Sequence, residues 1–295
     1  MFHVHHIDSL DLPELSPYRT LRRTAEHVAQ GIFVAESEKV VRRMLDSDFT
    51  VVSALLSERW LAEFEPQLRA RPEDIAVYVV AEDRMVDEMV GFTMFQGVLA
   101  VGKIPAKLLL ADILARSPKP HLLVAIDSLA NAENLGLLVR NCAAFGVQAL
   151  IVGETSSSPF LRRAVRNSMG AIFKLPVVEL GGPSVLASRN SKLPPGVPGV
   201  SPPQTTLVQT LRELRALDVR CIAAHPHTDK KVLGQADFTG DCCIVFGSEG
   251  HGISPAVLEA CDEAVAIPMT NEVDSLNVGA AAAVFLYETQ RQRKH

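Results

Sequence analysis

Short apolar runs at 31–35, 51–55, 76–80 and 97–101 are separated by polar or charged stretches and predict strands in the first third of the chain. Val40, Val41, Met44 and Leu45 recur at helical spacing among Glu38, Lys39, Arg42 and Arg43, which predicts an amphipathic helix over 38–45. Beyond residue 120 the pattern changes. Near-continuous apolar runs at 121–126, 149–152, 174–178, 220–224, 242–246 and 264–267 alternate with helical periodicity at 135–145, 159–168, 206–217, 255–260 and 276–291. Strands that read as apolar on both faces, with helices between them, predict a parallel sheet with crossover helices.

The fold class is therefore α/β, in two parts: a small α/β domain over 1–104, a linker over 105–120, and a parallel-sheet domain over 121–295. Gly, Pro and Ser crowd 181–204 without apolar periodicity, which predicts a flexible insertion there. Hydrophobic residues make up 47% and charged residues 21% of the 295 positions, so a wholly disordered or collagen-like chain is excluded. The formal net charge of -5 advertises no global field for nucleic acid or membrane. The charge is uneven: 12 basic and 18 acidic residues precede position 116, against 17 and 16 from Arg116 onward.

Five cysteines, Cys142, Cys221, Cys242, Cys243 and Cys261, form no CxxC pair and read as reduced core thiols of a cytoplasmic protein. The opening MFHVHHIDSL has no apolar signal region, and no apolar run approaches the ~20 residues that span a bilayer.

Ligands of open parallel sheets collect beyond the carboxyl ends of the strands, so the chemistry is sought in the loops there. After 121–126 comes a loop in which Asn134 is expected to cap a helix, Gly136 allows close backbone approach, and Arg140 follows one turn later. An isolated helical arginine is ordinarily a surface residue, but Leu138, Val139, Cys142 and Ala143 make this one's surroundings apolar. After 242–246 comes Gly247-Ser-Glu249-Gly250-His251-Gly252, with Ser254 and Pro255 opening the next helix. A Gly-rich turn alone is a weak signal; the chain holds neither GxGxxG nor GxxxxGK[ST], which removes support for a dinucleotide or nucleoside-triphosphate enzyme. After 264–267 come Pro268 to Val278 and a small-residue helix, Gly279-Ala-Ala-Ala-Ala283, for which Ser275 is the expected cap. A recess lined by backbone, a cation, a carboxylate and paired hydroxyl and amide groups suit methyl transfer to a hydroxyl.

At these residues the sequence resembles the SpoU/TrmH family of S-adenosylmethionine-dependent RNA ribose 2′-O-methyltransferases, part of the SPOUT superfamily. The resemblance is carried by Asn134-x-Gly136-x-x-x-Arg140, by Phe246-Gly-Ser-Glu249-Gly-x-Gly252, and by Ile267-Pro-Met269 through Ser275-Leu276-Asn277-Val278. Arg166-Asn-Ser168-Met-Gly170-Ala171 resembles a fourth family segment. Phe33-Val-Ala-Glu36-Ser37-Glu38-Lys39 is similar to the strand-to-helix signature of the substrate-binding domain often fused to this family, which resembles a ribosomal-protein fold; Ser37 stands where a glycine is usual.

The resemblance implies a deep trefoil knot in the C-terminal domain, a homodimer, S-adenosylmethionine as cofactor, and RNA as substrate, ribosomal RNA ahead of transfer RNA. It implies that Gly247, Glu249, Ile267, Met269, Leu276 and Asn277 line the cofactor pocket, and that Arg140 is the catalytic group, supported by Asn134, Glu249, Ser275 and Asn277. A guanidinium is effectively always charged, so a literal base role competes with one in which Arg140 holds an RNA phosphate and stabilises a developing alkoxide. Phosphates are expected at Arg19, Arg22, Arg23, Arg42, Arg43, Arg162, Arg163 and Arg166. An RNA-binding dimer without transferase activity is the alternative. No metal is expected: His3, His5 and His6 sit at a chain start expected to be disordered, and His225 and His227 lack partners at zinc spacing.

Overall fold

The computed structural model describes residues 1–9, 11–82, 86–87, 97–181, 206–226, 231–270 and 273–293. The elements begin with β1 (Phe2–His6), α1 (Ser16–Arg19), α2 (Thr24–Ala29), β2 (Ile32–Glu36), α3 (Glu38–Leu45), β3 (Val51–Ser57), α4 (Glu58–Ala70), β4 (Ile75–Val80) and β5 (Leu99–Lys103). There follow α5 (Leu110–Arg116), β6 (Leu122–Ile126), α6 (Ala132–Ala144), β7 (Ala149–Val152), α7 (Arg162–Asn167) and β8 (Val177–Glu179). The chain continues through α8 (Leu207–Ala216), β9 (Arg220–Ala224), β10 (Cys242–Phe246), α9 (Pro255–Ala260), β11 (Glu263–Val265) and α10 (Val278–Arg293). The expected insertion over 181–204 lies, from residue 182 on, outside the described residues.

Two compact units form: Met1–Ala106 with Pro159–Lys174, and Lys107–Ser158 with Leu175–His295. In the first, the sheet order is β1-β4-β3-β5-β2, with β1, β4 and β3 parallel and β5 antiparallel to both β3 and β2. The chain start is thus an ordered edge strand rather than the disordered segment expected from its polar histidines, because β1 gains a parallel backbone ladder along β4. Residues 159–174, which the sequence pattern grouped with the later part of the chain, pack in this unit. Phe160 and Phe173 stack near Phe33 at 5.7 and 5.8 Å between ring centroids, and Phe173 meets Phe49 at 5.2 Å.

The glycine usual at position 37 has a physical reason. Ser37 takes φ +85° and ψ 149°, a region that a side chain makes costly, as β2 turns sharply into α3.

The second unit holds one six-stranded sheet, order β11-β9-β10-β6-β7-β8, in which every pairing is parallel. All five residues of β6 and all five of β10 are buried, which is what helices on both faces require. Four of the cysteines are buried and Cys261 half-buried, all free. The amino-terminal side of the sheet is closed by α10. The guanidinium of Arg293 donates to the carbonyls of Phe238, Pro120, His121 and Gly240 at 2.7–2.9 Å. Beside it Asp241, 11% exposed, accepts from the His121 amide at 2.8 Å and pairs with Lys119 at 3.0 Å. Burial alone raises the Asp241 carboxyl's pKa, but the His121 amide and the neighbouring Lys119 and His121 outweigh it and hold the carboxyl below its usual range.

Two outcomes are expected. Ser37→Gly relieves a strain of about 1–3 kcal/mol against roughly 0.5–1 kcal/mol for glycine's greater unfolded freedom, so denaturant melts should show a gain on the order of 1 kcal/mol. For Asp241 the depressed pKa places its stabilisation above the ordinary carboxylate range and removes it as pH falls through the folded value. Wild type should therefore exceed Asp241→Asn at pH 7, with the two denaturation midpoints converging below about pH 4.

Candidate active site

Because β10 lies between β9 and β6 in parallel register, the loops after Ala224, Ile126, Phe246 and Val265 leave the sheet on one side. Those after Ala224, Phe246 and Val265 line a cavity of about 340 Å³, within the roughly 300–1,000 Å³ typical of small-molecule sites. Of the residues expected around a cofactor, Gly247, Glu249, Ile267, Met269 and Leu276 line it, as does Ser275. Its walls combine these apolar side chains with the backbone of 247–253, and its ionisable lining groups are Glu249, His225 and His251.

The glycine loop is a closed structure. Ser248 and Gly252 exchange both backbone hydrogen bonds at 3.0 Å, and Gly252 takes φ +66°. A Cβ on Gly247 would stand 2.1 Å from the Gly252 carbonyl carbon, a clash with backbone that nothing can absorb. At the base of the loop, Asp127 donates its amide to the Phe246 carbonyl at 2.9 Å and accepts the Ser254 amide on Oδ2 at 2.7 Å. This buried carboxylate carried no role in the sequence reading. Its signal was an acidic residue directly after an apolar strand.

Two capping expectations are corrected. Asn131, not Asn134, caps α6, accepting from the amides of Glu133 and Asn134, because the helix begins at Ala132. The Asn134 side chain is thereby released to donate to Glu249. Asn277, not Ser275, accepts the Gly279 amide at 2.9 Å at the start of α10, since that helix begins two residues later than its apolar pattern suggests. Asn277 also donates to Asn134 Oδ1 at 2.9 Å, so Glu249, Asn134 and Asn277 form one continuous chain of hydrogen bonds joining all three loops. Behind it α10 packs tightly on α6. Asn141 donates to the Gly279 carbonyl at 2.7 Å, and a Cβ on Gly279 would lie 2.4 Å from Leu137.

Arg140 is exposed on α6 and does not line the cavity. The expected phosphate contacts divide. Arg19, Arg22, Arg23, Arg43 and Arg163 are exposed, with Arg23 3.8 Å from Glu26 and Arg43 donating to the Met169 carbonyl. Arg42 is instead held by Glu38 at 2.6 Å and Glu63 at 3.0 Å. Arg162, with its side chain 11% exposed, pairs with buried Glu36, to which Arg166 also binds at 3.0 Å. Buried Glu36 and half-buried Glu38 claim these guanidinia because an unpaired acid there would be costly, with exposed Glu63 adding to the hold on Arg42, so Arg42 and Arg162 serve the fold of the first unit. Among the described residues no cluster of His, Cys, Asp or Glu could hold a metal, and His227 lies outside them.

A model of the SpoU rRNA Methylase family matches residues 121–190 and 202–287, more than half of the chain. An uncharacterized tRNA/rRNA methyltransferase of Mycobacterium tuberculosis is 30% identical over 306 residues, covering 98% of this chain and 96% of that protein. The 23S rRNA (guanosine-2'-O-)-methyltransferase RlmB of Shewanella oneidensis is 31% identical over 218 residues, covering 73% of this chain and 78% of that protein. Among solved structures, an AdoMet-bound rRNA methyltransferase from Sinorhizobium meliloti matches with a TM-score of 0.74 at 20% identity and covers 98% of each chain. The SpoU methyltransferase AviRb from Streptomyces viridochromogenes, in complex with AdoMet, matches at 0.72 and 23% identity, covering 96% of this chain and 98% of its own. These two structures share the fold.

The clash at Gly247 makes a specific demand. Gly247→Ala should push the 247–253 loop out of shape and abolish cavity binding of an adenosyl ligand, measured by calorimetry. Gly250→Ala, whose Cβ meets nothing within 4 Å, should bind like wild type.

Proposed function

Since the chain belongs to the SpoU rRNA Methylase family, we propose that it transfers the methyl group of S-adenosylmethionine to a ribose 2′-hydroxyl of RNA, with ribosomal RNA the favoured class. The observation that carries this reading is the hydrogen-bonded chain Glu249–Asn134–Asn277 at the rim of a cavity walled by Gly247, Ile267, Met269 and Leu276. Backbone groups of 247–253 and the apolar side chains suit a purine, and Glu249 suits a ligand ammonium.

The bound cofactor supplies an electrophilic methyl group on a sulfonium. The protein's share is positioning: Asn134, Asn277, Ser275 and Glu249 orient the ribose so that its 2′-oxygen attacks the methyl carbon in line, an effect that can reach about 7–11 kcal/mol. As the new O–C bond forms the hydroxyl gives up its proton. A guanidinium is effectively always protonated, so Arg140 acts by holding an RNA phosphate and stabilising negative charge on the attacking oxygen, while water or the phosphate takes the proton.

The finer architecture implied by family membership is part of the proposal. A homodimer is supported by apolar side chains left exposed on and around α6 and α10: Leu137 at 38%, Leu276 at 41% and Tyr287 at 62%. A trefoil knot is supported by the route of the chain, which leaves the edge strand β11 and returns to dock α10 on α6. The first unit, like a ribosomal-protein fold, would bind the RNA through Arg19, Arg22, Arg23, Arg43, Arg163 and the outer side of Arg166. Action on ribosomal RNA places the protein in the cytoplasm; among the described residues no helix is long and apolar enough to cross a membrane.

Labelled methyl groups from S-adenosylmethionine should appear on a ribose 2′-oxygen of RNA, mapped by comparing RNA from cells with and without this gene. Arg140→Ala should keep adenosylhomocysteine affinity within about threefold while transfer falls at least a hundredfold, about 2.7 kcal/mol or more of transition-state stabilisation. Undiminished transfer in that variant would reject the role, and cofactor-independent RNA binding alone would favour the non-enzymatic alternative.

A further inference from the structure

We infer that Asp127 is a positioning residue for the cofactor, acting through the glycine loop; the inference rests on the methyltransferase reading above. Asp127 is 5% exposed and lies at the end of β6, one residue beyond the strand. It touches both ends of the loop. Its amide binds the carbonyl of Phe246, the residue before Gly247, and its carboxylate receives the amide of Ser254, the residue after Ile253. The second carboxylate oxygen accepts the Ser128 hydroxyl at 3.1 Å.

One residue thus fixes the separation between the points where the loop leaves β10 and enters α9. The loop itself makes the two-way Ser248–Gly252 bridge, and all seven residues from Gly247 to Ile253 line the cavity. Ser254 makes no side-chain cap, so its own hydroxyl does not duplicate the Asp127 contact. A hydrogen bond from an amide to a buried charge is among the stronger ones, and replacing the acceptor leaves the Ser254 amide without this partner. With the base of the loop released, the cavity wall samples open conformations, and the ligand must meet the cost of closing it.

The test is calorimetry with adenosylhomocysteine, together with methyl-transfer kinetics over cofactor concentration. Asp127→Ala should weaken adenosylhomocysteine about ten- to a hundredfold and raise KM for S-adenosylmethionine by a similar factor, leaving kcat at saturating cofactor and KM for RNA within about threefold. Asp127→Asn, whose amide oxygen still accepts without charge, should fall between Ala and wild type. Ser254→Pro deletes the same hydrogen bond from its donor side at φ -64°, which proline favours, and should reproduce the cofactor defect. Combined with Asp127→Ala it should add little more.

If Asp127→Ala does not fold, Ser254→Pro decides: wild-type cofactor affinity in that variant overturns the inference. So does a loss of kcat with KM unchanged. Wild-type protein that takes up no adenosylhomocysteine removes the methyltransferase reading and this inference with it, whereas normal uptake by wild type and all variants removes the inference alone.

Discussion

The parallel pairing of β10 with β9 on one side and β6 on the other governs everything at the candidate site. Phe246 stands opposite Ile126, Val245 opposite Ala223, and Val265 opposite Ala224, so four strands end level and release their loops at the same height. The side-chain period of a strand is two, so a slip of one residue would turn each strand's inward side chains outward. It would also carry Glu249 away from Asn134. The two central strands are buried on both faces, and that burial fixes the register on which the chemistry relies.

The same unit shows how electrostatics is divided between fold and function. Glu249 is tied by the Asn134 amide, and no lysine or arginine is among the cavity-lining groups. A carboxylate held by a neutral amide keeps its charge available to a ligand. In the first unit the opposite holds: Glu36 is buried and draws both Arg162 and Arg166, and Glu38 and Glu63 draw Arg42. The acidic balance of that unit, which looks awkward for an RNA-binding surface, is partly spent inside it, and the exposed arginines are what a phosphate would meet.

Much of this was legible in the sequence. The periods located β7, β9, β10, α3 and α9 to the residue, because continuous apolar runs and amphipathic stripes are direct records of burial. Five elements escaped: β1, α1, α2, α4 and α5, the last inside the stretch expected to be a linker. β1 is polar on most of its exposed positions and is a strand only because β4 offers it a ladder, while α4 carries few buried side chains, Phe64 and Leu68, and a proline within it. The motif residues Asn134, Glu249 and Asn277 were named, yet their hydrogen-bonded chain was not readable. It depends on where the helices start, and a shift of two or three residues decides whether an asparagine caps its own helix or reaches across to another loop. The membership of 159–174 in the first unit was equally hidden, since Phe160 and Phe173 do not announce which core they enter.

The close approach of α10 to α6 bears on how Arg140 can work. Gly279 admits Leu137 to the backbone of α10, and Leu137 lies one turn before Arg140 on α6. Leu137, Leu276 and Tyr287 remain exposed, although apolar groups of this size are ordinarily covered. A second copy seated there would bury these side chains and lower the dielectric around the neighbouring guanidinium. A cation that is merely a surface charge in water would then act on an RNA phosphate and a developing alkoxide with much greater effect. On the proposed reading the exposed apolar side chains and the exposure of Arg140 outside the cavity would share one explanation: a second copy of the chain would complete the surroundings of the arginine.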